Sequence, residues 1–297
     1  MSARREYKNS LFTTLFNDPR RLVSLYNALT GSTLPPDTPL TIETLENVLF
    51  SGLRNDVAFL LGDVLIVLVE HQSTLCANMP LRILLYLARI LERLVGKDDV
   101  YRQNLVRIPR PEFIVLYNGE AEFPAEGRLR LSDAFLEPPP GFRGLGGHLE
   151  LEVRLLNIND GRNAELVERC LDLLGYVRIV RMIREKRASG VDLTEAVTRT
   201  VEECIEQGIL AEFLREHSTE VINLLTEEWN LERALFIRHQ EGRIEGHQEG
   251  RQEGSREGLE IGILVIKALK AGMSIADIAA KYQIPEETVR KYHSDLQ

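Results

Sequence analysis

The passage Asn55-Asp-Val-Ala-Phe-Leu-Leu-Gly-Asp-Val-Leu-Ile-Val-Leu-Val-Glu-His-Gln72 decides the fold. It reads as two β-strands joined near Gly62-Asp63, a hairpin signal flanked by branched and apolar residues. The second strand, Val64 to Val69, has no polar face, so it is expected to lie buried on both sides inside a mixed sheet. Glu70 and Gln72 end it. They stand two apart, so on a strand their side chains leave one face while His71 leaves the other.

The register of this hairpin matters for chemistry. Directly opposite residues of an antiparallel pair point to the same face. A loop of Gly62 and Asp63 alone would set Asp56 against Val69, and Asp56 and Glu70 would emerge on opposite faces. A three- or five-residue loop, or one bulge, shifts the register by one and sets Asp56 against Glu70. The odd register is the expectation, because only then can the two carboxylates share a cation.

A carboxylate at the end of a buried strand needs a reason. A divalent cation, Mg2+ or Mn2+, supplies one: Asp56, Glu70 and the His71 backbone carbonyl would hold it, with water and phosphate oxygens completing the shell. Such an ion activates water and stabilises charge on a scissile phosphate. The same residues also fit a plainer reading, in which Glu70 marks where the strand reaches solvent and Asp56 is a polar strand start. The pattern alone leaves both open.

Outward from the hairpin, Leu11 to Leu29 has helical apolar spacing with a break or restart at Asp18-Pro19, and Gly31 closes it. A strand is expected to begin within Thr41 to Phe50. Pro80 opens an amphipathic helix through about Val95. Phe113 to Tyr117 is a short apolar strand ended by Asn118-Gly119, and after a Pro- and Gly-rich loop His148 to Ile158 is a further strand. This order of elements is α/β. Beyond Arg162 the chain reads as helical, over Ala164 to Arg187, Leu193 to Gln207 and shorter pieces up to Trp229.

The C-terminal third carries a repeat in which Glu-Gly recurs every four residues from Glu241-Gly242 to Glu257-Gly258. Each interior glycine costs a helix about 1 kcal/mol relative to alanine. The segment is then either a flexible linker or a helix whose glycine stripe packs against another helix, of the same or a second chain; the packed helix is favoured. Ala271 to Tyr292 has the outline of a helix-turn-helix. Ser274 would cap one helix with Ile275, Ile278 and Ala279 inward, and Pro285 would start a second with Val289 and Tyr292 inward. Glu286 and Glu287 at the start of that second helix weigh against phosphate contact, so a DNA reader and a plain packing hairpin both stand.

Bulk properties fit a globular chain of 297 residues, with 44% hydrophobic and 27% charged residues. The longest apolar run is far too short to cross a bilayer, no signal-peptide core opens the sequence, and Cys76, Cys170 and Cys204 form no CxxC pair. A cytoplasmic protein without membrane or structural zinc is expected. The net charge of −9 argues against a wholly DNA-coated surface without excluding a local basic groove. Arg82, Tyr86 and Arg89 share a helix face suited to phosphate and base contact, or Tyr86 is core and the arginines are surface. No GxSxG or Cys/His elbow supports a serine or cysteine hydrolase.

From Asn55-Asp56 through Glu70-His-Gln72 the chain resembles the Rpn family of recombination-promoting nucleases and putative transposases, within the PD-(D/E)XK nuclease superfamily. The resemblance continues in Ser73-Thr74, Asn78-Met-Pro-Leu-Arg82, Leu84-Leu-Tyr-Leu-Ala-Arg89 and Pro111-Glu-Phe-Ile-Val-Leu-Tyr-Asn-Gly119. It reaches back to Leu25-Tyr-Asn-Ala-Leu-Thr-Gly31, and the late Glu-Gly repeat is similar to tails common in that family. It is strong over residues 7–119 and loose beyond.

The resemblance implies a metal-dependent DNA endonuclease linked to recombination or mobile elements. Asp56 and Glu70 match the two metal-binding acids, and Gln72 stands where a lysine is usual. Glutamine can orient a water but can neither act as a base nor neutralise charge, so a cation from the next helix, Arg82 or Arg89, is a candidate replacement. Asn9 stands where many relatives have an aspartate. The implied organisation is a PD-(D/E)XK-like mixed sheet flanked by helices over 1–162, a helical region over 163–230, the Glu-Gly helix over 231–270 and the helix-turn-helix-like hairpin over 271–297. Partners would be DNA and a second copy bound through the C-terminal helices. The competing reading is a catalytically weak DNA-binding or assembly protein that retains the nuclease fold.

Overall fold

The computed structural model describes residues 10–43, 57–62, 65–141 and 149–294; for 65–70, 231–247, 249, 253, 255 and 257 it describes the backbone. The first helix, α1 (Leu11–Leu15), starts at Ser10, whose Oγ accepts the Thr13 amide at 3.1 Å while the Ser10 amide donates to Thr13 Oγ1 at 2.9 Å. The chain restarts at Asp18, whose carboxylate accepts the amides of Arg20 and Arg21 at 2.8 and 3.1 Å. Pro19 sits at the first helical position, where an amide is not needed, and α2 (Pro19–Thr30) ends at Gly31 with φ 74°.

A mixed sheet follows. In chain order its strands are β1 (Leu40–Ile42), β2 (Val57–Leu61), β3 (Leu65–Gln72), β4 (Arg110–Tyr117), β5 (Glu126–Arg130) and β6 (Glu152–Asn157), with α3 (Met79–Leu94) crossing from β3 to β4. The spatial order is β1-β2-β3-β4-β6-β5. The pairs β1/β2, β2/β3 and β5/β6 are antiparallel, and β3/β4 and β4/β6 are parallel. Next come α4 (Ala164–Arg169), α5 (Leu171–Ala188), α6 (Leu193–Glu206), α7 (Ala211–Lys270), α8 (Ile275–Tyr282) and α9 (Glu286–Ser294).

The period of two along each strand sorts the core into two layers. Val57, Phe59, Ile114, Leu116 and Leu156 face α1, α2, α5 and α6, a cluster including Phe12, Leu25, Tyr176 and Val201. Ala58, Leu60, Val115, Val153 and Leu155 face Met79, Ile83, Tyr86 and Ile90 of α3. The chain is thus a mixed α/β protein with helices on both faces of the sheet.

Several elements differ from the sequence reading. The strand β5 falls in the stretch read as loop, since Glu-Gly-Arg-Leu-Arg offers little apolar signal. It holds the sheet edge through charge: Glu152 of β6 pairs with Arg128 at 2.6 Å and Arg130 at 3.3 Å. The helix expected over Ala164 to Arg187 is broken at Cys170, whose φ −119° and ψ 103° are extended. The short pieces expected before Trp229 are instead the start of α7, whose only non-helical residue is His217.

The chain divides into two compact units, Met1–Asn230 and Leu231–Gln297. Residues 231–270 are helical, as the Glu-Gly repeat suggested. Among the described residues, a methyl added at Gly250, Gly254 or Gly258 would meet nothing within 4 Å. Among the described residues no helix is long and apolar enough to cross a membrane.

Candidate functional site at the carboxyl ends of the parallel strands

The hairpin that decides the fold has the odd register. Val57 faces Val69 and Leu61 faces Leu65, so residues 62–64 make the connection, and Gly62 takes φ 59°. A positive φ is where glycine is at no disadvantage. Glu70 continues the strand in line with Val115 of β4. Asp56, one step before Val57, lies outside the described residues, as does Asn9.

Gln72 ends β3 and is buried to 9% exposure. A buried amide must find partners for both its atoms, and one orientation supplies them. Its oxygen then accepts from Arg82 Nη1 at 3.3 Å and its nitrogen donates to the Thr74 carbonyl at 3.1 Å. The reverse orientation points the nitrogen at Met79 Sδ, 2.8 Å away. Arg82 also donates through Nη2 to the Tyr86 hydroxyl at 3.2 Å. Tyr86 is fully buried. The chain Gln72–Arg82–Tyr86 therefore brings a guanidinium to the end of β3. Arg89, two turns along α3, is not part of it: it pairs at 2.6 Å with Glu92, an exposed contact.

His71 serves the other face. Its ring stacks on Phe12 (centroids 5.3 Å, 20°) and meets Tyr176 edge-on, with Tyr176 Oη 3.0 Å from Nε2. Burial, with the charge of Arg184 as a smaller cause, lowers its pKa from 6.5 to about 4. The imidazole is thus neutral at neutral pH and brings no positive charge to a phosphate; its backbone carbonyl is the part that was expected to serve a metal.

Between the two faces the strand ends are tied together. The Asn118 amide donates to the Gln72 carbonyl at 2.9 Å, and the Ile158 amide to the Tyr117 carbonyl at 2.9 Å. Arg184 of α5 reaches across the edge, donating to Asn118 Oδ1 at 3.2 Å, to Asn159 Oδ1 at 3.1 Å and to the Asn118 carbonyl. Asn159 Nδ2 donates to the Gly119 carbonyl at 2.9 Å. The side-chain Nδ2 of Asn118 is buried with no hydrogen-bond partner among the described residues. An unmatched buried donor costs about 1–3 kcal/mol, and Arg184 fixes this side chain through its oxygen.

Asn118, Asn159, Tyr176 and Arg184 were not singled out in the sequence. Asn118-Gly119 was read as the end of a strand and as the close of a stretch that carries the family resemblance, with no role for either residue. Tyr176 and Arg184 are eight residues apart on α5, two turns along one face, a spacing equally common on any amphipathic helix.

Among the described residues no group of three or more His, Cys, Asp or Glu is placed to hold a metal ion; the Asp56 and Glu70 side chains are outside that set. The chain matches no protein-family model, no curated protein and no solved structure.

Proposed function

We infer that this chain is a divalent-metal-dependent DNA endonuclease that hydrolyses phosphodiester bonds where β3 and β4 end. The observation that carries the reading is the odd register of the β2/β3 hairpin. It favours Asp56 and Glu70 on one face, the arrangement a shared cation requires. The donor set of two carboxylates and the His71 carbonyl is all oxygen, which suits Mg2+ or Mn2+. When bound, that ion supplies a water of lowered pKa and charge for the scissile phosphate.

The remaining roles fall to the protein. Gln72 orients the attacking water without taking its proton. Arg82, bonded to Gln72 and Tyr86, supplies the positive charge that a lysine gives at the position of Gln72 in the PD-(D/E)XK superfamily, and its fork suits two phosphate oxygens. Asn118 offers its unspent donor along the same edge. The succession α2, β1–β3 as a meander, α3 and parallel β4 is compatible with that superfamily, and the Rpn-like association with recombination or mobile elements rests on the sequence resemblance alone. Three free cysteines fit a reducing cytoplasm. Self-association through the C-terminal helices would cover the open glycines of α7.

Supercoiled plasmid incubated with the protein and Mg2+ or Mn2+ tests the reading. Nicking is expected for wild type, with a loss of at least about 100-fold in Glu70→Ala and Asp56→Asn and of about 10- to 100-fold in Arg82→Ala. Nicking that survives in Glu70→Ala would refute the assignment. No nicking of any DNA form, with binding intact, would favour the catalytically weak DNA-binding reading.

A further inference from the structure

The C-terminal unit is more than a hairpin. The last turns of α7 close with α8 and α9 around Val265, Ala268, Ile278, Ile284 and Val289, all buried. Ser274 caps α8, its Oγ accepting the Asp277 amide at 3.2 Å. Gln283 takes φ 54° and ψ 39° to end α8, and the Ile284 amide folds back to the Ala279 carbonyl at 3.2 Å. Three residues, Gln283 to Pro285, then separate the helices. The third helix is fixed from behind: Tyr292 Oη donates to the Gly258 carbonyl at 3.1 Å, and a methyl at Gly262 would stand 3.1 Å from the Tyr292 ring. A close-set glycine is thus used where α7 meets α9.

Three helices around one core with a three-residue connection have the outline of a helix-turn-helix, a motif whose second helix lies in the major groove with its N-terminal residues at base edges. A hairpin that served only packing would bury the outer side of α9. Instead Val289 points inward while Glu287, Arg290 and Lys291 are exposed. With Val289 inward, helical rotation makes Glu287 and Lys291, one turn apart, the outermost row.

Over residues 261–294 the exposed Lys267, Lys270, Lys281, Arg290 and Lys291 stand against Asp277, Glu286 and Glu287, a small local basic excess in a chain that is −9 as a whole, and it suits an anionic partner. Glu286 is moreover spoken for by Arg290 at 3.2 Å. The two offset one another, which leaves, among the described residues, Lys291 as the unpaired cation and Glu287 as the acceptor on the outer face of α9. Glutamate accepts from the cytosine N4 amine, and lysine donates to guanine O6 and N7.

We propose that α8 and α9 form a second, sequence-reading duplex-DNA site, in which Glu287 and Lys291 read a C·G-containing step in the major groove and Lys281 contacts a backbone phosphate. This site is independent of the nuclease reading. It would choose where the chain sits on DNA, whatever the sheet edge does there.

The test uses the full chain in EDTA, which removes cleavage from the measurement. Labelled 20-base-pair duplexes are selected from a random pool, and binding of the enriched sequence is followed by fluorescence anisotropy. An enriched motif is expected. Lys291→Ala should weaken its binding by about 5- to 150-fold, Glu287→Ala should relax choice at one base pair, and Lys281→Ala should weaken all duplexes alike and flatten the salt dependence by about one ion. Because the measurement is made in EDTA and needs no cleavage, a failed nuclease reading leaves this result standing. Circular dichroism melts matched to wild type guard against unfolding, with Lys291→Arg as the conservative variant that should retain binding. A pool without enrichment, or Lys291→Ala and Glu287→Ala that bind the duplexes as wild type does, would overturn the proposal.

Discussion

Adding a single methyl at Gly119 should damage both stability and the candidate site. A Cβ there would lie 1.9 Å from the Ser73 carbonyl oxygen and 2.6 Å from the Tyr117 ring. Contact between carbon and oxygen needs about 3.3 Å, so the strand ends must part by about 1.4 Å. The Ser73 oxygen belongs to the backbone and cannot swing aside as a side-chain tip can. Two hydrogen bonds cross this junction, from the Asn118 amide to the Gln72 carbonyl and from Asn159 to the Gly119 carbonyl. Their loss costs about 1 kcal/mol each, and overpacking adds about 1–3 kcal/mol. Alanine's smaller unfolded-state entropy returns about 0.4–1 kcal/mol. The net is about 2–5 kcal/mol, which in a unit of this size lowers Tm by about 4 to 20 °C. Displacing Gln72 by an ångström should also slow plasmid nicking by about 100-fold. Differential scanning calorimetry and the nicking assay on Gly119→Ala read both effects. A Tm within 1 °C of wild type would refute the close approach of the β3 and β4 ends.

Other variants probe separate parts of the chain. Gly254→Ala adds a methyl that meets nothing in the chain, so a monomer should gain about 1 kcal/mol of helix stability, seen as about fivefold slower amide exchange over 250–258; faster exchange would show the stripe covered by a second copy. Burial pushes the Cys204 thiol up to about 11 and raises Cys170 as well. At pH 8 the Cys204 thiolate is then about one part in a thousand, and iodoacetamide should label the partly exposed Cys76 first; equal labelling in the folded protein would contradict this. Glu152→Ala removes both arginine partners of β5, and because exposed pairs are weak it should cost about 1 kcal/mol in urea unfolding.

The hairpin was legible because its chemistry is local. An unbroken apolar run fixes a buried strand, and Gly62 supplies the positive φ that a longer connection uses. The register itself came from an argument about two carboxylates rather than from turn statistics, which point to a two-residue loop. By contrast, β5 has only five residues, and it is held by its ladder with β6 and by ion pairs to Glu152, 22 and 24 residues away. Such pairing cannot be seen by reading along the chain. Arg82 beside Gln72 was foreseeable from helix spacing, whereas Arg89 on the same face turns to Glu92 because an acid sits three residues on. Tyr176 lies 105 residues from His71, a contact that only the packing of α5 creates. The start of α7 was misjudged for a different reason: a helix was expected through the glycine-rich repeat, but the stretch before Trp229 was read as shorter pieces, and nothing in the sequence states that one helix runs through both.

The central claim is that Asp56 and Glu70 hold one divalent cation, and Mn2+ binding measured by isothermal calorimetry on the full chain tests it most directly. The expected result is one ion per chain for wild type and for Arg82→Ala, with affinity lowered by about 100-fold or lost in both Asp56→Asn and Glu70→Gln. Binding unchanged in those two variants, or absent from wild type, would contradict the account.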